Sequence, residues 1–156
     1  MALKRLEIQE KKLDQLFDEV SKYKEEDIIK SHLAKYLCIQ ASGYLENVIK
    51  ELIEEYHNKT CTKQTSNYVN KKLESFTNIH DKKLTNFLKS FDTEWYNKFN
   101  LKLTDEQKES LNSIISQRHL IAHGNEQRSN LKFSSMIKYY QDLKEIVKLL
   151  RTIIKK

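Results

Sequence analysis

The sequence predicts an all-α fold, a single-domain helical bundle of about five or six helices. Three observations predict it. There is no proline, and glycine occurs only at Gly43 and Gly124, so little interrupts helical sequence. Apolar residues recur at three- and four-residue spacings along most of the chain, the period of helices that bury one face. The length, 156 residues, suits one domain spanning 1–156 with a single sizeable core.

Residues 3–23 place Leu6, Leu13, Leu16, Phe17, Val20 and Tyr23 on one side of a first amphipathic helix. Residues 27–57 are the most apolar stretch, with a stripe from Ile29 and Leu33 through Leu37, Ala41, Tyr44 and Val48 to Ile53. This second helix is the expected centre of the core. Gly43 lies inside it at a cost of about 1 kcal/mol against alanine, for which a close helix–helix approach is the expected reason. Residues 57–66 are polar and weak in helix propensity, and read as a loop. A shorter helix over 67–76, an irregular point at 77–81 and a helix over 82–91 follow. The aromatic residues Phe87, Phe91, Trp95, Tyr96 and Phe99 come next, interleaved with Lys89 and Lys98. Such a mixture suits base stacking, but its spacing is the ordinary spacing of a core.

The next helix has a marked start and stop. Thr104 followed three residues later by Gln107 has the form of a capping box, and Asp105 and Glu106 suit the positive end of the dipole. Leu111, Ile114, Ile115, Leu120 and Ile121 line its buried side, and Gly124 supplies the left-handed residue that ends helices. After a polar loop over 125–130, a final helix over 134–154 buries Met136, Tyr140, Leu143, Ile146, Val147 and Leu150. Lys155 and Lys156 suit its C-terminal end.

Composition narrows the function classes. No run approaches the eighteen apolar residues of a membrane span, and the first residues lead into charged amphipathic sequence rather than a signal-peptide core. A cytoplasmic location without membrane attachment is expected. Cys38 and Cys61 lack CxxC spacing and do not outline a disulfide framework. Residues 1–56 hold 9 Lys/Arg against 12 Asp/Glu, a net −3, whereas residues 57–156 hold 19 against 10, a net +9. A basic region of that size favours a polyanion, of which nucleic acid is the commonest in the cytoplasm, although a lysine-rich solvated surface has the same composition.

Chemistry concentrates in Ser116-Gln117-Arg118-His119-Leu120-Ile121-Ala122-His123-Gly124-Asn125, at the C-terminal end of the penultimate helix. His119 and His123 are four apart, about 40° around a helix, which is the spacing of a zinc-binding pair. Zinc requires three or four protein ligands. The sequence offers no HExxH and no nearby cysteine pair. Only Glu126 or the distant His32, His57 and His80 remain as a third ligand, and Arg118 repels a cation, so no metal and no cofactor is expected. The other chemistry is metal-free RNA cleavage. An imidazole titrates near neutrality and can act as general base or acid, while a guanidinium holds the charge that gathers on phosphoryl oxygens. One helix end presents few groups for that reaction, and two copies facing across a two-fold axis would complete the site.

Arg118-His119-Leu120-Ile121-Ala122-His123-Gly124 resembles the signature of the HEPN superfamily (higher eukaryotes and prokaryotes nucleotide-binding). That signature is an arginine, four to six residues, then a histidine, often followed by glycine. His119 stands where asparagine is usual. The Ile-Ala-His-Gly ending and the length are similar to the prokaryotic stand-alone branch grouped with ribonuclease-L-type domains. The resemblance implies a homodimer with a composite active site and metal-independent endoribonuclease activity. It also implies a toxin or antiphage role, with an antitoxin or other defence-system protein as a partner. Arg118 and His123 would be the catalytic pair, His119 would assist, and Glu46 and Asn125 would be auxiliary positions. The alternative implied is a catalytically inactive dimeric module that binds nucleotide, RNA or a partner protein. A third reading has both histidines merely capping carbonyls at the negative helix end.

Overall fold

The computed structural model describes residues 2–155, with the side chains of Ala2, Leu3 and Glu126 left aside. Lys156, expected to complete the basic end of the last helix, lies outside the described residues. Seven α-helices make up the described chain: α1 (Ala2–Ser21), α2 (Ile28–Thr60), α3 (Lys63–Glu74), α4 (Asp81–Phe91), α5 (Thr93–Lys102), α6 (Asp105–Ala122) and α7 (Phe133–Ile153). A single 3₁₀ turn, Glu126–Arg128, joins the last two. The fold is all-α, and the motif does close the penultimate α-helix.

The apolar stripe of α2 determines the arrangement. Its 33 residues, about 50 Å of helix, pack against α1, α3, α6 and α7. Ala34, Leu37, Ala41, Tyr44, Val48, Ile49 and Ile53 are fully enclosed where those helices meet. Facing them are Leu6 and Phe17 of α1, Leu111 and Ile114 of α6, and Met136, Ile146 and Leu150 of α7. Phe17 stacks on Tyr140 with ring centroids 4.2 Å apart, locking α1 to α7.

Two boundaries and one packing expectation differ from what the sequence predicts. The expected loop over 57–66 shrinks to Cys61 and Thr62, because α2 runs on to Thr60 and α3 starts at Lys63. Burial overrides weak propensity there. His57 is fully enclosed, its Nδ1 3.0 Å from Ser66 Oγ and its Nε2 2.9 Å from Asn70 Oδ1, which ties the two helices together. The stretch after residue 91 becomes a separate helix, α5, because Asp92 breaks from helical geometry and caps it. The Asp92 side chain accepts from the Glu94 and Trp95 amides. Trp95 and Phe99 are buried, and Trp95 stacks on Phe91 at 5.1 Å, so this aromatic cluster is core. Finally, Gly43 answers no close approach: a Cβ built there meets nothing within 4 Å. No helix among the described residues is long and apolar enough to cross a membrane.

Candidate functional site

Local sequence chemistry positions the motif as expected. Thr104 Oγ1 accepts from the Gln107 amide at 3.2 Å and Gln107 Oε1 accepts from the Thr104 amide at 3.1 Å, fixing the start of α6. At the other end Gly124 adopts φ +73°, and the Asn125 amide donates back to the Leu120 carbonyl at 2.9 Å, closing the helix in a Schellman-type turn. His123 is the C-cap residue. Asn125 is exposed and brings its backbone to this turn, its carbonyl accepting from the Arg128 amide at 2.9 Å.

Arg118 and His119 point to different neighbours, as successive residues on a helix must. The Arg118 guanidinium turns towards α2 and the segment between α3 and α4. Its Nη1 donates to Asn78 Oδ1, and its Nη2 lies 3.9 Å from Glu46 Oε1. The same Glu46 oxygen accepts from the Asn78 amide at 3.0 Å. Glu46 is nearly enclosed, with 12% of its side chain exposed against 26% for Arg118, so the guanidinium is anchored on one side and open on the other. Asn78 has φ +53°, the left-handed region, which asparagine tolerates better than most side chains.

His119 and His123 are both exposed, with ring centroids 4.3 Å apart and planes tilted by 54°. Among the described residues neither ring caps a carbonyl, contrary to the capping reading. His119 also lines a depression of about 690 Å³ together with Asn78, His80, Asp81, Asn112 and Ser116. Asn78 therefore joins the two halves of the site: it holds Arg118 and borders the depression that contains His119.

The sequence did not single out Asn78, Asp81 or Asn112, and named His80 only as a distant metal ligand. His80 is the N-cap of α4, its Nδ1 accepting from the Lys83 amide at 3.3 Å. In the neutral ring that bond places the proton on Nε2. The Asp81 amide donates to Asn112 Oδ1 at 2.9 Å, tying the start of α4 to α6. The available signal was the His-Asp pair directly before the apolar run Leu84, Phe87, Leu88 and Phe91, a helix-start pattern.

Cys38 lies beneath the motif, fully buried, its Sγ donating to the Ile114 carbonyl at 3.3 Å. Burial pushes this thiol up to about 12, against the opposing influence of Arg118, so it stays protonated and unreactive. Among the described residues no group of three or more His, Cys, Asp or Glu side chains is arranged to hold a metal ion.

A family model described as RiboL-PSP-HEPN matches residues 4–156. No curated protein and no solved structure gives a significant match. The matched region takes in all of α2, which supplies Glu46, and all of α6, which ends in the arginine–histidine motif. The chain belongs to the HEPN family, in its RiboL-PSP branch.

Proposed function

We propose that the protein is a metal-independent endoribonuclease, acting in the cytoplasm as a toxin or antiphage effector, with Arg118, His119 and His123 as its catalytic residues. One observation carries this reading. The last turns of α6 carry both a guanidinium anchored on Glu46 and Asn78 and a contacting pair of exposed imidazoles. Those are the groups that cleavage without a metal requires.

In the proposed reaction one imidazole takes the proton of the 2′-hydroxyl as O2′ attacks the adjacent phosphorus. The bond from phosphorus to O5′ breaks, and a second imidazole donates a proton to the departing oxygen. The products are a 2′,3′-cyclic phosphate and a free 5′-hydroxyl. Arg118 holds the phosphoryl oxygens while charge builds on them, and Glu46 and Asn78 keep its side chain from wandering. His119 and His123 lie side by side, whereas base and acid work on opposite sides of the phosphorus. A second copy supplying the opposed imidazole completes the site in a homodimer. Asn125 serves by fixing the turn that holds His123.

The test is cleavage of RNA in EDTA by the wild type, Arg118→Ala and His123→Ala. Wild-type activity in chelator with cyclic-phosphate ends, lost by 100-fold or more in His123→Ala, is the expected result, in line with removal of a general acid–base group. Undiminished cleavage by His123→Ala removes that residue from the mechanism.

The engagement of Arg118 by its own chain favours a second reading, a non-catalytic dimeric module that binds nucleotide, RNA or a partner such as an antitoxin. There the arginine stabilises the fold. Arg118→Ala would then leave RNA integrity and toxicity unchanged while lowering the melting temperature.

A further inference from the structure

The depression beside His119 does not end at α6. A second hollow of about 410 Å³, lined by Glu109, Ser113, Gln117 and Tyr139, shares Asn112 and Ser116 with the first. The two hollows therefore flank the same pair of side chains on the outer face of the helix and together make an interrupted groove. We propose that this groove seats unpaired nucleobases of the RNA, one on each side of Ser116. The proposal rests on the ribonuclease reading for the presence of RNA at His119, and adds where and how the strand is read.

The lining chemistry is that of base recognition rather than of phosphate binding. A phosphodiester backbone calls for lysine and arginine, and of the residues lining the two hollows only Lys82, at one end, is a cation. Asp81 and Glu109 place one carboxylate in each hollow, which repels phosphate but can accept from the amino groups of bases. The remaining lining is amides, hydroxyls, rings and two apolar side chains. On the motif side the apolar Ile115 and Leu120 line the hollow together with the His119 and His80 imidazoles, surfaces on which a flat aromatic ligand can stack. The volume lies within the range of about 300–1,000 Å³ typical of small-ligand sites. On the far side the half-buried Tyr139 ring offers a second stacking face.

Asn112 gives the groove a fixed polar contact. Its Oδ1 accepts the Asp81 amide, and an N–H donates only to oxygen, so the orientation of the carboxamide is settled. The Nδ2 group keeps both protons for a base carbonyl or ring nitrogen. Bases inside a duplex are already stacked and paired, so the groove selects a single strand or a splayed loop.

The experiment uses the His123→Ala protein, which needs no turnover, and a fluorescein-labelled eight-nucleotide RNA, single-stranded or annealed to its complement. Ser116→Trp fills both hollows from an exposed helical position. Tyr139→Ala removes one stacking face. Binding is followed by anisotropy and folding by thermal melts. The expected result is single-strand binding at least tenfold tighter than duplex binding, weakened at least tenfold by Ser116→Trp and about fivefold or more by Tyr139→Ala, in variants that melt like their parent. Equal affinity for the duplex, or unchanged affinity in both variants, overturns the groove. So does a change of mass by light scattering in Ser116→Trp with unchanged RNA affinity in Tyr139→Ala, which makes the face a contact between copies. The two readings fail separately. RNA binding that Ser116→Trp abolishes, beside a wild type that never cleaves, retains the groove and removes the ribonuclease. Cleavage by a wild type whose binding ignores both variants does the reverse.

Discussion

Asn78 shows how much one residue can hold in place. Its backbone is left-handed, its amide donates to Glu46, and its side chain accepts from Arg118. A Cβ in that conformation costs about 1–2 kcal/mol, which glycine avoids. Asn78→Ala and Asn78→Gly both delete the acceptor for Arg118, and only alanine pays the conformational penalty. In urea unfolding, Asn78→Ala should therefore be about 1 kcal/mol less stable than Asn78→Gly; equal stabilities would show that the left-handed backbone imposes no strain. The arginine, the two histidines and Gly124 were legible because they sit within seven consecutive residues. Asn78 was not. It lies forty residues before Arg118 in an unpatterned polar stretch, and only folding brings the two together.

At the scale of elements, α2 and α6 were legible almost to their ends, since a long apolar stripe and a capping box are local signals. The junction of α2 with α3 was misjudged because its helix-weak residues are retained by partners that the sequence does not display. Thr60 Oγ1 donates back to the Tyr56 carbonyl at 2.9 Å, Thr62 caps α3, and the buried His57 is held by Ser66 and Asn70. Gly43 was misjudged in the opposite sense. Helical glycine is usually explained by a neighbour that needs the space, and none is there. Gly43→Ala should raise stability by about 0.5–1 kcal/mol, through helix propensity and a less flexible unfolded chain. A lower melting temperature in that variant would mean that the open face of α2 is occupied by something else in solution.

For the molecule as a whole, buried acids outside the motif set the response to pH. Tyr44 donates to Glu10 at 2.5 Å and Tyr140 donates to Asp14 at 2.6 Å, with Lys144 3.2 Å from the same Asp14, so a polar seam joins α1, α2 and α7. Desolvation first, and then these carboxylate partners, raise both phenols above their ordinary value of 10.0. Burial likewise raises the Cys38 thiol from 9.0 to about 12. In each case the folded state keeps a proton that the unfolded state has lost. Their contribution to stability is therefore complete below about pH 9 and declines as pH rises beyond it, by up to about 1.4 kcal/mol per pH unit for each such group. Urea midpoints measured from pH 8 to 11 should stay level at first and then fall, and a Tyr44→Phe, Tyr140→Phe double variant should fall less steeply. A wild-type midpoint still level at pH 11 would contradict this linkage.

The grip of Glu46 and Asn78 on Arg118 also has a genetic consequence. In a selection for copies that have lost the proposed toxicity, replacements at position 118 would be recovered as scarce protein, because the segment between α3 and α4 loses its anchor and the chain is exposed to proteolysis. Replacements at His123, whose exposed ring meets the exposed His119 ring among the described residues, would be recovered as abundant full-length protein. Those survivors could pair with active copies and poison them, so immunoblots and dominance tests should sort the mutants by position.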